Sequence, residues 1–181
     1  MGAQATPLHG QVWKYPGLLD IDVDLFSWPL AIELKESGVK ITYENLAQYC
    51  LAEVDPLFAS NVSPGDFLVT EGNVGYGHDH DYASIALRGL GVAAVVCESS
   101  APYFLRNSLD HGLPVLEIPG IFEAVETGDR MIVDIVAGRL EIPRSLRSFE
   151  FTPYPDFLLE RLAEGGLYPW LSKQIKPEAG S

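Results

Sequence analysis

Residues 81–118 pass from one hydrophobic period to another and back, and that alternation narrows the fold more than any other feature of the chain. Ala83, Ala86, Leu87 and Leu90 fall at i, i+3, i+4 and i+7, one face of a helix over Asp81–Gly91. Gly91 suits a left-handed helix end. Val92–Cys97 is an unbroken apolar run, the pattern of a strand covered on both faces. Ser99 or Ser100 is expected to cap a second helix with Pro102 in its first turn, running to Asp110 and stopped by Gly112. Pro114–Ile118 reads as the next strand, and Phe67–Thr70, after the turn Pro64-Gly65-Asp66, as an earlier one. Strand, helix, strand, helix, strand at this spacing implies parallel strands joined by right-handed crossovers, an α/β domain.

The flanking segments are simpler. Gly10–Tyr15 alternates like a strand, and Asp20–Asp24 (DIDVD) would place its acids on one face if extended. Tyr43–Leu51 reads as a helix capped by Thr42. Arg130–Ile142 reads as a hairpin about Ala137-Gly138, and Pro155–Ala163 as a closing helix ended by Gly165-Gly166. With 47% hydrophobic residues, the 181-residue chain can bury a sizeable core. A single domain over residues 10–172 is expected, with flexible ends at 1–9 and 173–181.

Chemistry concentrates in Glu71–Leu87, EGNVGYGHDHDYASIAL. A glycine-rich turn with Gly72, Gly75 and Gly77 leads into His78-Asp79-His80-Asp81 and then a helix. In open α/β sheets ligands bind beyond the carboxyl ends of the strands, where this loop falls. The net charge of −13 argues against nucleic acid as a partner. No apolar run is long enough for a membrane span, and the first ten residues lack the order of a secretory signal. Cys50 and Cys97 lie in apolar surroundings and read as buried thiols in a reducing compartment, so a cytoplasmic location is expected.

The same loop carries a family resemblance. Asn73, Gly75, Gly77, Ala83, Ala86 and Leu87 match in register the pattern GENFGxGSSREHAxxAL of the 3-isopropylmalate dehydratase small subunit, a relative of the aconitase swivel domain. RGLGVAAVVCESSAPYFLRNSLDHGLPVLE, residues 88–117, resembles the family's following segment. VWKY…DIDVD resembles VWKFGDNIDTD, which puts Asp20 and Asp22 on its aspartate pair, and FLLERLAEGGL resembles FLLxxLxxGGL. The resemblance implies a swivelling β/β/α domain of the aconitase C-terminal type. It also implies a hydro-lyase acting on a hydroxy or unsaturated carboxylic acid. A separate large subunit would carry a 4Fe–4S cluster whose iron takes the departing hydroxyl as a Lewis acid, and this chain alone would bind none.

In the family, the first serine of Ser-Ser-Arg-Glu-His removes a proton and the arginine grips a substrate carboxylate. His78 and His80 stand at those two positions here. Several readings of the cluster stay open. His78 takes the proton, His80 binds or protonates the substrate, Asp20 or Asp22 orients a histidine, and Asp79 lies with them. Substrate would then be held at Asn73, Gly75, Tyr76 and Gly77, by backbone N–H groups up to Asp81, and by Lys35 or Lys40. Alternatively the chain is a divergent swivel domain that only binds a small carboxylate or a partner protein. Or His78, His80 and nearby aspartates hold a metal, with no third ligand set by spacing. Last, the cluster is a solvated turn in which Asp79 or Asp81 caps the helix. Trp13, Trp28 and Trp170 are expected to pack, and His9 and His111 to be structural or exposed.

Overall fold

The computed structural model describes residues 6–175. Seven strands form one sheet in the order β4-β3-β2-β1-β5-β6-β7. The chain runs β1 (Leu8–Tyr15), α1 (Trp28–Glu36), α2 (Tyr43–Ala47), α3 (Phe58–Asn61) and β2 (Phe67–Val74). It continues through α4 (Tyr82–Gly89), β3 (Ala94–Ser100), α5 (Pro102–Asp110) and β4 (Val115–Glu117). Strands β5 (Arg130–Asp134), β6 (Arg139–Ile142) and β7 (Arg147–Glu150) and helices α6 (Asp156–Ala163) and α7 (Leu167–Gln174) complete it.

The expected parallel half is present: β1 pairs parallel with β2, β2 with β3 and β3 with β4. Strands β5, β6 and β7 add antiparallel on the other side of β1. Side chains on a strand alternate between faces, so each central strand feeds two cores. Leu68, Val95 and Cys97 face the helices, with Leu25, Leu46, Ala86, Leu87 and Phe104. Phe67, Val69, Ala94 and Val96 face the opposite way, against Ile121, Met131, Val133 and Leu140. This double covering is why Val92–Cys97 reads as continuously apolar.

Several expectations are corrected. DIDVD is not extended: Ile21–Leu25 is a single π-helical turn. Asp20 Oδ1 accepts from Asp22 N at 2.7 Å and Val23 N at 3.1 Å, and Asp24 Oδ2 accepts from Asp20 N at 2.7 Å. Aspartates that satisfy the backbone locally draw it out of a strand. Ser99 and Ser100 do not cap α5. They end β3, where Ser100 bonds Glu117, and Ala101 precedes the helix. Thr42 does cap α2 through Asn45 N, but that helix closes at Ala47. Strand β1 starts at Leu8, because Leu8 and His9 pair with Val133 and Ile132. Helix α7 carries Lys173 and Gln174. The rest of the two expected flexible ends, residues 1–5 and 176–181, lies outside the described residues. Helix α1 and edge strand β7 have no counterpart in the expectations. No helix among the described residues is long and apolar enough to cross a membrane.

Candidate functional site at the carboxyl end of the parallel strands

Two loops leave the sheet at the same edge, one after β1 and one after β2, and they zip together. Gly72 N donates to Gly17 O (2.9 Å), Gly75 N to Leu19 O (2.8 Å) and Ile21 N to Tyr76 O (2.8 Å). Asp20 and Tyr76 form an isolated parallel bridge. Two glycines let the loop after β2 pack this closely, Gly75 against α5 and Gly77 against the loop after β1. Gly75 has φ +73°, and a Cβ there would lie 2.2 Å from the Phe104 ring. Gly77 has φ +116°, and its Cβ would meet Asp20 Oδ2 at 3.0 Å.

The zipped loops bring Asp22 under both histidines. His78 Nδ1 lies 2.7 Å from Asp22 Oδ2, and His80 Nδ1 lies 2.9 Å from Asp22 Oδ1. An ionised carboxylate only accepts, so each Nδ1 carries a proton, and a ring in its neutral form then offers the Nε2 lone pair. The Asp22 side chain is 11% exposed, that of His80 28% and that of His78 76%. The carboxylate is thus sheltered while one imidazole opens to solvent. One nitrogen from each ring and one Asp22 oxygen all lie within 4.8 Å of one another, a set that could hold a metal ion.

Trp28, first residue of α1, stacks flat on His80 with centroids 3.8 Å apart. Tyr82 stands edge-on to both rings and stacks on Phe26. The tryptophan expected only to pack is therefore also a wall of the site. Lys35 lies two turns further along the same face of α1, at i+7 from Trp28. With Trp28, Ala31, Ile32, Glu36 and Tyr82 it lines a cleft of about 440 Å³, which shares with the His80 ring the walls Trp28 and Tyr82. Lys40 is not brought there; it enters the hydrogen bonds through its carbonyl, which accepts from Asn45 Nδ2.

Helix α5 supports the loop from below. Asn107 Nδ2 donates to the carbonyls of Asp79 (3.0 Å) and His80 (3.3 Å). One turn later His111 Nε2 meets Asp81 Oδ2 at 3.0 Å, and His111 Nδ1 meets Tyr43 Oη at 3.0 Å. The i, i+4 spacing puts both clamps on one helix face. The His111 bond holds the Asp81 carboxyl below the usual range against the effect of burial, and burial pushes the Tyr43 hydroxyl up. Asp81 occupies the position before α4 but makes no side-chain capping bond. The Asp79 carboxylate is not part of the Asp22 cluster. Asn73 stays in β2 opposite Ser99, after an irregularity in the pairing. Neither Trp28 nor Asn107 is marked as a site residue by spacing, since each reaches the loop only through the packing of its own helix.

No family model matches the chain. Individual relatives do. The 3-isopropylmalate dehydratase small subunit of Halothermothrix orenii is 35% identical over 93% of this chain and 98% of its own length. The isopropylmalate/citramalate isomerase small subunit of Methanocaldococcus jannaschii is 34% identical over 93% and 95%. The chain belongs to the 3-isopropylmalate dehydratase small-subunit family.

The fold agrees. The crystal structure of 3-isopropylmalate dehydratase (leuD) from Methanocaldococcus jannaschii superposes with a TM-score of 0.80 over 93% of this chain and 95% of that one, at 26% identity. Within the family frame, the polar loop Gly77–Tyr82 and the aspartates after β1 sit together at one edge of the sheet.

Proposed function

We propose that this chain is the small subunit of an aconitase-like hydro-lyase, a dehydratase or isomerase of a hydroxy or unsaturated carboxylic acid, working in the cytoplasm. The names of its relatives support the dehydratase class. The observation that carries the assignment of roles is that one carboxylate, Asp22, accepts from both imidazole Nδ1 atoms and so turns both Nε2 atoms into acceptors.

In this reading His78, the exposed ring, takes at Nε2 the proton next to a substrate carboxylate. Its Nδ1–H stays on Asp22, which stabilises the imidazolium that forms. His80, fixed between Trp28 and Asp22, holds or protonates the other end of the substrate. Asp20 does not touch either ring; it positions Asp22 by holding the backbone of the π-helical turn. Backbone N–H groups in the turn from Asn73 through Gly75, Tyr76 and Gly77 to Asp81, and the Lys35 ammonium in the adjoining cleft, would receive a carboxylate. Asp79 and Lys40 carry no role in this geometry.

The chain's own residues do not fit an iron–sulfur cluster. Cys50 and Cys97 are both buried. Burial pushes the Cys97 thiol up to about 12 and raises Cys50 as well, whereas cluster ligands are thiolates. A 4Fe–4S cluster would belong to a separate large subunit.

The test is reconstitution with a dehydratase large subunit, followed by turnover of isopropylmalate, citramalate and related hydroxy diacids. Turnover is expected to need both chains and to fall about 10²-fold or more in His78→Gln. Full activity in that variant, or no association with any large subunit, would overturn the reading.

A further inference from the structure

We propose that Asp22, His78 and His80 form a binding site for one divalent cation of the zinc class. The inference rests on the geometry of the cluster and not on its catalytic reading.

Three donors of mixed type converge from two loops. Two imidazole nitrogens and a carboxylate oxygen lie within 4.8 Å of one another. An ion at Zn–N and Zn–O lengths of about 2.0–2.2 Å holds its donors no more than about 4.4 Å apart, so binding would draw them slightly together. Two imidazoles with one carboxylate suit Zn²⁺, Co²⁺ or Fe²⁺ and do not suit Mg²⁺ or Ca²⁺, which take oxygen.

The donors are also held. Asp20 bonds the backbone N–H groups of Asp22 and Val23, so the π-helical turn fixes where the carboxylate points. Trp28 lies flat on His80 and fixes that ring, and Asn107 holds the carbonyls on either side of the Asp79–His80 peptide. Supporting contacts of this kind orient ligands in metal sites. The side chain of His78 is 76% exposed, which leaves an entry path and open positions for water or a ligand oxygen.

Where the ion binds through Nδ1, the nitrogen that faces Asp22 in both rings, it displaces the proton held there. A ring bound through Nδ1 keeps its proton on Nε2 and no longer accepts one there. An ion on Nε2 would occupy the accepting lone pair itself, so with either nitrogen the cation is expected to compete with proton abstraction.

The experiment uses the full chain without an affinity tag, stripped with chelator and titrated with Zn²⁺ by calorimetry and with Co²⁺ by visible absorption. One equivalent is expected, with Co²⁺ ligand-field bands. Affinity is expected to fall about 100-fold in His78→Ala, His80→Ala and Asp22→Asn, and to be unchanged in His9→Ala. Less than one equivalent, or wild-type affinity in the three variants, would sink the proposal. If His80→Ala fails to fold, His78→Ala decides, because that side chain lies at the surface. No large subunit or substrate is present, so this result stands or falls separately from turnover.

Discussion

The rings of Trp28 and His80 lie 3.8 Å apart with their planes 2° from parallel, so a helix start in the β1–β2 crossover forms one wall of the polar loop after β2. The stack restricts the ring whose Nδ1 meets Asp22. Trp28→Leu is expected to cost about 0.5–1.5 kcal/mol of stability, read by denaturant unfolding. It should also broaden the His80 ring signals in NMR. Sharp, unshifted signals would mean that the stack does not hold the ring.

Asp22→Asn keeps size and removes the charge that accepts from both rings. The Nδ1–H form of His78 and His80 should lose its dominance, which ¹⁵N spectra of the imidazoles report directly. In the reconstituted enzyme kcat/KM should fall about 10²-fold or more. An unaltered tautomer ratio would separate Asp22 from the histidines.

Gly75→Ala is expected to be severe. The residue has φ +73°, and the new methyl would enter the Phe104 ring, which is fully buried. Strain and overpacking together should cost several kcal/mol, on the order of 2–4. Thermal unfolding checks this. A loss below about 1 kcal/mol would show that the turn can move away from Phe104.

Acid stability should depend on Asp81. Its hydrogen bond to His111 holds its carboxyl below the usual range, so the folded state gives up that proton more readily than the unfolded chain. The stabilisation is present above the ordinary carboxylate range near pH 3.9 and is lost as pH falls through the lower folded value. Stability curves of the wild type and Asp81→Asn should therefore differ at neutral pH and converge in acid. Curves that stay parallel down to pH 3 would rule out this pair as a contributor.

Much of the parallel half could be read in advance, because buried strands and amphipathic helices carry their own periods. Val92, Ala94–Cys97, Ala83, Ala86 and Leu87 are buried as that pattern requires, and Ala93 and Leu90 are partly buried against the two cores. The glycine-rich turn was legible for the same local reason. The alternation of DIDVD is compatible with a strand but silent about side chains that bond their own backbone, and those bonds wind it into a turn. Helix α1 escaped notice because its apolar residues do not form a clear stripe, and β7 because a short exposed edge strand has little hydrophobic pattern.

The amino-acid order alone determined that imidazoles and carboxylates would crowd a glycine turn at the carboxyl end of a parallel strand. Which carboxylate meets them was decided only when β1 and β2 paired and their loops zipped through Leu19, Ile21 and Tyr76. Local periodicity reports which face of an element is buried. It holds no information about distances between residues far apart in sequence, and those distances make Asp22, rather than Asp20 or Asp79, the partner of both rings.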